Sequence, residues 1–137
     1  MAIISGKILI MNEQKTNQLF VFKKTPGPNG GHPEFVLHKR VVLKDLEIFK
    51  QVCMNFHFKA NCPEMDTIIF TKVDQIFELN YMTEDIKTIH TFSTPFKRQP
   101  LFFTPNEDQT IFLIASPEDG KHLNLRTKRE TDINDSF

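Results

Sequence analysis

Residues 111–125 read IFLIASPEDGKHLNL, in which two β-prone runs flank a polar turn. Residues 8–22 read ILIMNEQKTNQLFVF and align with the first stretch without a gap. Residues 67–79 read TIIFTKVDQIFEL and have a turn three residues shorter. Segments rich in Asp, Asn and Gly supply turn conformations that β-branched residues resist. Each stretch therefore predicts a β-hairpin, and the chain predicts three related β units.

The three units open at Ile8, Ile68 and Ile111, which we expect to hold equivalent places in a recurring architecture. Residues 52–58, before the second unit, alternate between two faces as a half-buried strand does. Residues 86–92, after it, are another β-prone run. The isoleucines are 60 and 43 residues apart. A four-stranded propeller blade takes about 40–45 residues, so the first spacing requires an insertion. A Thr follows each unit: Thr25, Thr83 and Thr127.

Length and composition indicate a packed globular protein. The chain has 137 residues, of which 39% are hydrophobic and 25% charged. We expect one all-β domain over residues 1–137, built from antiparallel propeller-type blades in a partial or incomplete propeller. Its units are placed near residues 1–25, 50–92 and 99–137, with a loop-rich insertion at residues 24–48.

Charge is balanced in total but not along the chain. Residues 1–59 carry a net charge of +5 and residues 60–137 a net charge of −5. Such a split orients a protein against a partner or a second copy of itself, or it reflects two unevenly solvated faces. A pI near 7.0 and the scarcity of Arg disfavour a nucleic-acid partner, which needs a concentrated basic patch.

The sequence also predicts where the protein works. No apolar run reaches the roughly 18 residues that span a bilayer, so we expect no membrane partner. No basic residue precedes the short apolar stretch at the start, which disfavours a secretory signal. Two Cys are too few for a disulfide framework, and both are expected as free thiols in a reducing compartment. These features predict a cytoplasmic protein.

A Gly- and Pro-rich loop separates the first two units. Residues 24–33 hold three Pro and three Gly, which predicts irregular backbone. A Gly-rich loop can cradle a phosphate, but no Gly-Lys-Ser/Thr follows and no helix start lies next to it. We therefore predict an exposed insertion that a partner contacts through Asn29, Gly30 and His32.

Most of the 14 Phe fall in predicted strands and are expected in the core. The adjacent Phe102 and Phe103 differ, because neighbours in a strand point to opposite faces. One is expected in the core, and the other is expected to contact a second layer or a partner. Both are therefore candidate partner-binding residues.

Residues that carry chemistry are sparse. Cys53, His57 and Cys62 suggest a zinc site, but Cys53 and His57 lie about 13 Å apart in an extended strand at ~3.3 Å per residue. Metal–ligand bonds of about 2.0–2.3 Å do not reach both. No Ser lies in a Gly-x-Ser-x-Gly elbow, and an inert thiol is favoured over a thiolate paired with His57. We predict no catalytic residue, no metal, no cofactor and no enzymatic activity; an enzyme with an unrecognised site is the second alternative.

Residues 43–58 are ambiguous. An apolar stripe at helical spacing runs from Leu43 to Cys53, whereas the last seven residues of the segment alternate as a strand. A helical turn near Lys44–Phe49 that leads into a strand satisfies both patterns. If the whole segment were helical, residues 19–92 would resemble a β-grasp domain of the doublecortin kind. Tubulin and a cytoskeletal location are what that alternative implies.

Residues 101–131 resemble a blade of the WD-repeat family of β-propellers. The stretch LFFTPN (residues 101–106) is similar to a blade's first strand and turn, and IFLIAS (residues 111–116) is similar to its second strand. The stretch DGKHLNL (residues 119–125) takes the place of the family's Asp-Gly turn and third strand. Residues 51–92 match the same pattern more loosely.

The resemblance implies a non-catalytic scaffold for protein–protein interactions, whose partners are other subunits of a larger intracellular assembly. Propellers close with about four to eight blades, and three units are visible. The chain is therefore a segment of a longer propeller, an incomplete propeller finished by a partner, or a divergent one with further blades. Unpaired strand edges at the ends of three units would favour aggregation, which itself predicts a partner or more blades.

Overall fold

The computed structural model describes residues 2–4, 7–13, 18–27, 30–42, 56–98 and 100–133. These residues form strands and turns without an α-helix, and none of them belongs to a helix that could cross a membrane. The strands are β1 (Ala2–Ile4), β2 (Ile8–Glu13), β3 (Gln18–Thr25), β4 (Glu34–Val42), β5 (Phe56–Phe58), β6 (Thr67–Thr71), β7 (Gln75–Asn80), β8 (Asp85–Thr91), β9 (Phe102–Pro105), β10 (Ile111–Ala115), β11 (Gly120–Asn124) and β12 (Arg129–Asp132).

Each group of four consecutive strands forms one antiparallel sheet in which sequence neighbours pair. The first sheet contains β1 to β4, the second β5 to β8 and the third β9 to β12. The chain divides into two compact units: Met1–Lys50 holds the first sheet, and Gln51–Phe137 holds the other two. The predicted all-β class of antiparallel, propeller-type sheets is confirmed.

The first sheet extends beyond the predicted unit. Residues 24–48, which the sequence assigns to a loop-rich insertion, include β4, and this strand pairs with β3 along its length. Its sequence EFVLHKRVV is rich in β-branched residues, and pairing satisfies the backbone groups that a loop would leave to solvent. The sheet therefore ends at Val42.

The doublecortin-like β-grasp alternative is wrong. It requires the strands on both sides of residues 43–55 to share a sheet, but β4 and β5 lie in different sheets. Tubulin and a cytoskeletal location were implied by that fold alone. The predicted helical turn at Lys44–Phe49 and the thiol of Cys53 lie outside the described residues. Phe56–Phe58 is a strand, as the alternation predicts.

The three sheets share one hairpin register. In each sheet, a backbone N–H at the end of the third strand donates a hydrogen bond to the carbonyl of the residue that precedes the second strand. These bonds run from Lys24 to Lys7, from Tyr81 to Asp66 and from Leu125 to Thr110, at 2.9, 3.0 and 2.8 Å. These bonds make Ile8, Thr67 and Ile111 equivalent, and the strand pairings agree. The predicted equivalence of Ile68 is therefore wrong by one residue, which places its side chain on the opposite face of the sheet.

Each sheet thus has two faces that can be compared between units. The face that carries Ile8, Thr67 and Ile111 is here termed the A face, and the opposite face is termed the B face. Because side chains alternate along a strand, the next residue in each second strand lies on the B face. Those B-face residues are Leu9, Ile68 and Phe112.

The second and third sheets also share a turn, between their third and fourth strands. Asn80 Oδ1 accepts hydrogen bonds from the backbone N–H groups two and three residues further on, at 2.9 and 3.0 Å. Asn124 Oδ1 does the same at 3.1 and 3.3 Å. A side-chain oxygen here completes the turn in place of a backbone acceptor. Thr83 and Thr127 hold equivalent places in this turn, whereas Thr25 lies inside β3.

The core of the second unit lies where the A face of the second sheet packs on the B face of the third. Phe103 and Phe112 stack there with ring centroids 5.4 Å apart and planes 3° apart. Burial of this apolar surface is the main source of stability for the unit. The buried members of the cluster are Ile69, Ile76, Phe92, Phe96, Phe103, Phe112, Ile114 and Leu123.

Side chains also clamp the two sheets through backbone groups. His57 Nε2 lies 2.7 Å from the carbonyl oxygen of Phe103, and since a carbonyl only accepts, this nitrogen carries the proton. Gln109 Oε1 accepts from Ala60 N at 2.7 Å, and its Nε2 donates to the carbonyl of Phe58 at 2.8 Å. The first strand of the second sheet and the residues that follow it are therefore fixed to the third sheet.

The adjacent Phe102 and Phe103 provide a matched pair of core and surface variants. We expect Phe103→Ala to lower the free energy of unfolding by about 3–5 kcal/mol, because the residue is fully buried between the sheets. Phe102→Ala is expected to cost less than about 1 kcal/mol, since its side chain is 46% exposed. Urea denaturation followed by circular dichroism measures both. Equal losses for the two variants would contradict the assigned strand orientation.

Candidate interaction surface

The A face of the third sheet exposes large apolar side chains. Phe102, Leu113 and Ile133 are 46%, 40% and 38% exposed. Phe102 pairs with Ala115, which pairs with Gly120, and the N–H of Ile133 donates to the carbonyl of Gly120 at 2.9 Å. These four residues form one row across the sheet. The large side chains of Phe102 and Ile133 flank the small residues Ala115 and Gly120. The next row is Thr104, Leu113, His122 and Thr131.

The equivalent face of the second sheet is covered. Ile69 holds the place that Leu113 holds in the third sheet, and its exposed fraction is 1% rather than 40%. The difference arises because the third sheet packs on Ile69. Within the described part of the second unit, no strand covers the A face of the third sheet in the same way. The A face of the third sheet therefore carries the apolar residues of a face that packs on another sheet, but these residues are exposed.

The B face of the first sheet, taken by itself, is also partly open. Leu9, Phe20 and Phe22 are half-buried on this face, and Met11 and Leu37 are 43% and 51% exposed. In the other two sheets the B-face side chains of the second strand are buried: Ile68, Phe70, Phe112 and Ile114. The A face of the first sheet is buried through Ile8, Ile10, Leu19 and Val21. Each unit thus carries one apolar face that remains accessible.

The structure separates the predicted pair of adjacent phenylalanines. Phe102 lies on the open A face, whereas Phe103 has no exposed area. The assignment of Phe103 as a partner-binding residue is therefore wrong, since strand alternation turns its ring into the core between the sheets. The prediction that the two rings lie on opposite faces is confirmed.

The predicted loop residues lie in the first unit. Gly30 and His32 are exposed ahead of β4. Gly30 has a φ of 77°, a left-handed conformation that suits glycine, and a Cβ built there meets no atom within 4 Å. Asn29 lies outside the described residues. Whether these three residues bind a partner stays a prediction.

Sequence reasoning missed Leu113 and Ile133 as surface residues. A single apolar residue in a predicted strand carries no sign of whether its face is covered. Once the burial of Phe112 and Ile114 fixes the core face of β10, the alternation places Leu113 on the other side. Ile133 lies beyond the predicted motif, and only the pairing of β12 reveals it.

A buried polar cluster lies between the second and third sheets. Glu130 accepts hydrogen bonds from the backbone N–H of Ser93 at 3.0 and 3.2 Å and from its hydroxyl at 3.2 Å. His90 Nε2 contacts the same carboxylate at 3.1 Å. Lys121 Nζ lies 3.8 Å from Glu130 and 3.1 Å from Asp132. His90 and Lys121 are 7% and 4% exposed, whereas Ser93 and Asp132 are exposed. The cluster therefore joins β8 to β11 and β12 from a buried centre to the surface.

The protonation of Glu130 is set by opposing effects. Burial disfavours the charged carboxylate and acts to raise its pKa, but the hydrogen bonds from Ser93 and His90 favour the charge. Together the hydrogen bonds outweigh the effect of burial, so the pKa of Glu130 lies below its usual value. The carboxylate is therefore ionised at neutral pH and serves as a fixed acceptor.

The loop before β6 gathers Cys62, Glu64 and Asp66, whose ligand atoms lie within 4.8 Å of one another. Burial raises the pKa of the Cys62 thiol, and the hydrogen bond that it donates to Asp66, at 3.2 Å, raises it further. A protonated thiol is a poor nucleophile and a poor metal ligand. Nearby, Tyr81 Oη donates to the carbonyl of Met65, and burial raises the pKa of Tyr81 to about 12. These contacts stabilise the loop.

A cleft of about 290 Å³ opens between the second and third sheets. Ile69 and Phe112 line its floor, and the ion pair of Lys59 with Glu78, at 3.1 Å, lies at its rim. The rim mixes both charges and the floor is apolar. This shape is that of a seam between packed sheets, and it offers no cluster of convergent catalytic groups.

No family model matches the sequence, and no curated protein matches it. The solved structures that are similar in fold include the following three. The N-terminal domain of Nup159 has a TM-score of 0.56 at 12% identity, covering 97% of this chain and 33% of that chain. Sqt1 from Chaetomium thermophilum has a TM-score of 0.55 at 11% identity, covering 90% and 28%. A chain of the S. cerevisiae complex of a Dbp5 variant bound to Nup159, a Gle1 variant, IP6 and ADP has a TM-score of 0.55 at 12% identity, covering 96% and 32%.

The neighbours Nup159 and Sqt1 are β-propellers. This chain has the fold of a propeller segment. Three four-stranded antiparallel meanders match that architecture, in which each sheet is one blade. The chain spans about a third of the length of the solved structures it matches.

The Glu130 cluster predicts a pH-dependent contribution to stability. Because the folded-state pKa is lowered, the stabilisation is complete above the unfolded value of about 4.3 and is lost as the pH falls through the folded value. We expect Glu130→Gln to destabilise the fold by about 1–3 kcal/mol at pH 7. The difference from wild type should shrink as the pH is lowered towards 3, as measured by urea denaturation at each pH.

Glu118→Gln is the matched control for this experiment. Glu118 pairs with Arg98 at 3.1 Å, but both side chains are exposed, so its loss should cost less than about 1 kcal/mol at any pH. A pH-independent effect of Glu130→Gln would show that the charge of this carboxylate does not stabilise the fold.

Proposed function

We propose that this chain is a non-catalytic protein-interaction scaffold of the β-propeller type, working as part of a larger protein assembly. The observation that carries the proposal is the open A face of the third sheet. Phe102 and Leu113 are exposed on this face, whereas the equivalent face of the second sheet is buried. Large apolar side chains on a rigid sheet form the kind of surface that a protein partner covers.

A structural neighbour supports a role in binding proteins. One similar chain comes from a structure of Dbp5 bound to Nup159 and Gle1, which is an assembly of several proteins. A rigid propeller displays its faces and turns without large conformational change, so binding requires little ordering of the scaffold. The partners of this chain are proposed by class only, as other proteins.

Two finer features belong to the same proposal. The similarity of residues 101–131 to a WD-repeat blade supports membership of that family, because β9 to β11 follow the predicted order of strands. A cytoplasmic location is supported by the small number of Cys, which is typical of proteins in a reducing compartment.

The side chains that could perform catalysis have structural partners. Propeller folds host many functions, so the argument must come from the residues themselves. His57 Nε2 donates to a backbone carbonyl, the thiol of Cys62 favours its protonated form, and Ser93 is bound to Glu130. Ser116 contacts Asp119 within a turn. The described residues thus bring no nucleophile together with a free general base.

Affinity capture from extracts of the cells of origin tests the scaffold role. We expect wild type to retain proteins in near-stoichiometric amounts and Leu113→Glu to lose them, because a charge on the apolar face is costly to bury. Met82→Glu is the matched control, since Met82 is 42% exposed in the turn after β7. Retention of the same proteins by all three forms would show that this face is not the binding surface.

The enzyme alternative has its own test. A hydrolase panel is run on wild type, Cys53→Ala and Cys62→Ala. We expect no turnover with any form. Turnover by wild type that either substitution abolishes would replace the scaffold proposal with a thiol-dependent activity.

A further inference from the structure

We propose that the cleft between the second and third sheets binds a short segment of a partner protein. The segment places one large apolar side chain inside the cleft and a neighbouring carboxylate against Lys87. The proposal rests on the proposed scaffold function, since it names the chemistry of a binding partner, but it uses a site other than the open A face. All residues that line the cleft belong to the compact unit Gln51–Phe137.

The cleft lies where one row of the second sheet changes from apolar to charged residues. In this row, Ile69 pairs with Glu78, and Glu78 pairs with Lys87. Ile69 packs in the core with Phe112 of the third sheet. Charged side chains are costly to bury, so the two sheets do not close over Glu78 and Lys87. The seam therefore opens there into a cavity of about 290 Å³.

The interior of the cleft is apolar. Ile69 and Phe112 form its floor and are each 1% exposed. Ile89 and Leu125 also line the cleft, and both remain partly exposed. Sites for drug-sized ligands have volumes of about 300–1,000 Å³. The cleft is at the lower limit of this range, and its size and lining suit one Phe or Leu side chain, which gains by leaving water.

The walls of the cleft are fixed before a ligand binds. The side chain of Gln109 accepts from Ala60 N at 2.7 Å and donates to the carbonyl of Phe58 at 2.8 Å. Gln109 itself has a φ of 58°, a left-handed conformation that is uncommon outside glycine. Its N–H donates to the carbonyl of Asn106 at 3.0 Å, which supports the turn. A preformed site lowers the cost of ordering on binding.

The rim of the cleft carries one cation that its ion pairs do not use. Lys59 pairs with Glu78 at 3.1 Å, and Asp108 pairs with Arg126 at 3.6 Å. Lys87 is exposed at the same rim, and its ammonium forms no ion pair with any residue that the structure describes. The electrostatic complement of this rim is therefore an anion, and a carboxylate accepts a charge-assisted hydrogen bond from an ammonium group.

The edge of the second sheet favours a protein segment over a small acid. Three consecutive residues of β8 line the cleft: Lys87, Thr88 and Ile89. β8 is the last strand of its sheet, and among the described strands none pairs with its outer edge. The edge therefore offers backbone groups beside the cleft, and the main chain of an extended peptide carries matching donors and acceptors.

Nuclear magnetic resonance titration of the isotopically labelled full chain tests the proposal. The probes are two synthetic peptides, acetyl-Gly-Phe-Asp-Gly-amide and its Asn analogue, together with phenylpropionate as a free small acid. We expect the Asp peptide to shift the backbone signals of Lys87, Thr88, Ile89 and Gln109. It should bind about two- to fivefold more tightly than the Asn peptide, which is the size of effect that an exposed ion pair produces. Phenylpropionate should bind more weakly than the Asp peptide.

Three variants assign the two parts of the site. Lys87→Gln should bind both peptides equally, because it removes the cation but keeps the apolar cleft. Lys97→Gln is the matched control and should keep the preference for Asp, since Lys97 lies in the loop between β8 and β9 and does not line the cleft. Ala60→Leu adds carbon atoms at the lining and should abolish the shifts with both peptides. Circular dichroism and thermal melting confirm that each variant is folded.

Four results would overturn the proposal. Absence of shifts at the cleft in wild type, or shifts that Ala60→Leu leaves unchanged, removes the cleft as the binding site. Equal binding of the two peptides by wild type removes Lys87 as the partner of a carboxylate. Phenylpropionate that binds as tightly as the Asp peptide replaces the protein segment with a small acid. The scaffold function is judged separately, by the capture of proteins and its loss in Leu113→Glu, and it can fail while the peptide still binds the cleft.

Discussion

The contact between the A face of the second sheet and the B face of the third is the interaction on which the second unit depends. A four-stranded meander has two faces, and it is stable in water only if at least one of them is covered. Here Ile69 and Ile76 meet the stacked rings of Phe103 and Phe112 across the seam. Polar clamps from Gln109 and Glu130 then fix the relative placement of sheets that apolar packing alone leaves free to slide.

The sequence predicted the strands well because their signals are local. Polar turns around β-prone runs identified the hairpins near Ile8 and Ile111, and alternation identified Phe56–Phe58. The match between Ile68 and Ile111 was off by one position, because both residues are isoleucine at the start of an apolar run. Residue types alone cannot show which positions of two repeats are equivalent when both faces of a strand are buried. This is the case in β6, where all five residues are buried.

The long-range features had no sequence signal. Glu130 reaches His90 and Ser93 across 40 and 37 residues, and no motif marks the three as neighbours. Part of the exposed surface could be predicted. The adjacent Phe102 and Phe103 indicated that their rings lie on opposite faces of a strand, but not which ring is buried. That choice depends on which face of β10 meets the second sheet, and the hydrophobicity of residues 111–115 is similar on both sides. Unpaired strand edges were expected to need a partner, whereas the exposed apolar feature is a sheet face.

The repeated register has a consequence for any chain built in this way. When the A face of one sheet always accepts the B face of the next, a stack of any length leaves one A face and one B face at its ends. No substitution within the stack removes these ends, because each added sheet covers one face and exposes another. Sheets also twist with a fixed hand, so successive blades rotate in a constant sense. A heterologous contact of this kind closes into a ring when the rotation completes a turn, and otherwise it extends into a filament. The apolar character of Leu113 is therefore what the repeat itself requires, since Ile69, which holds the equivalent place in the second sheet, is covered by the third sheet.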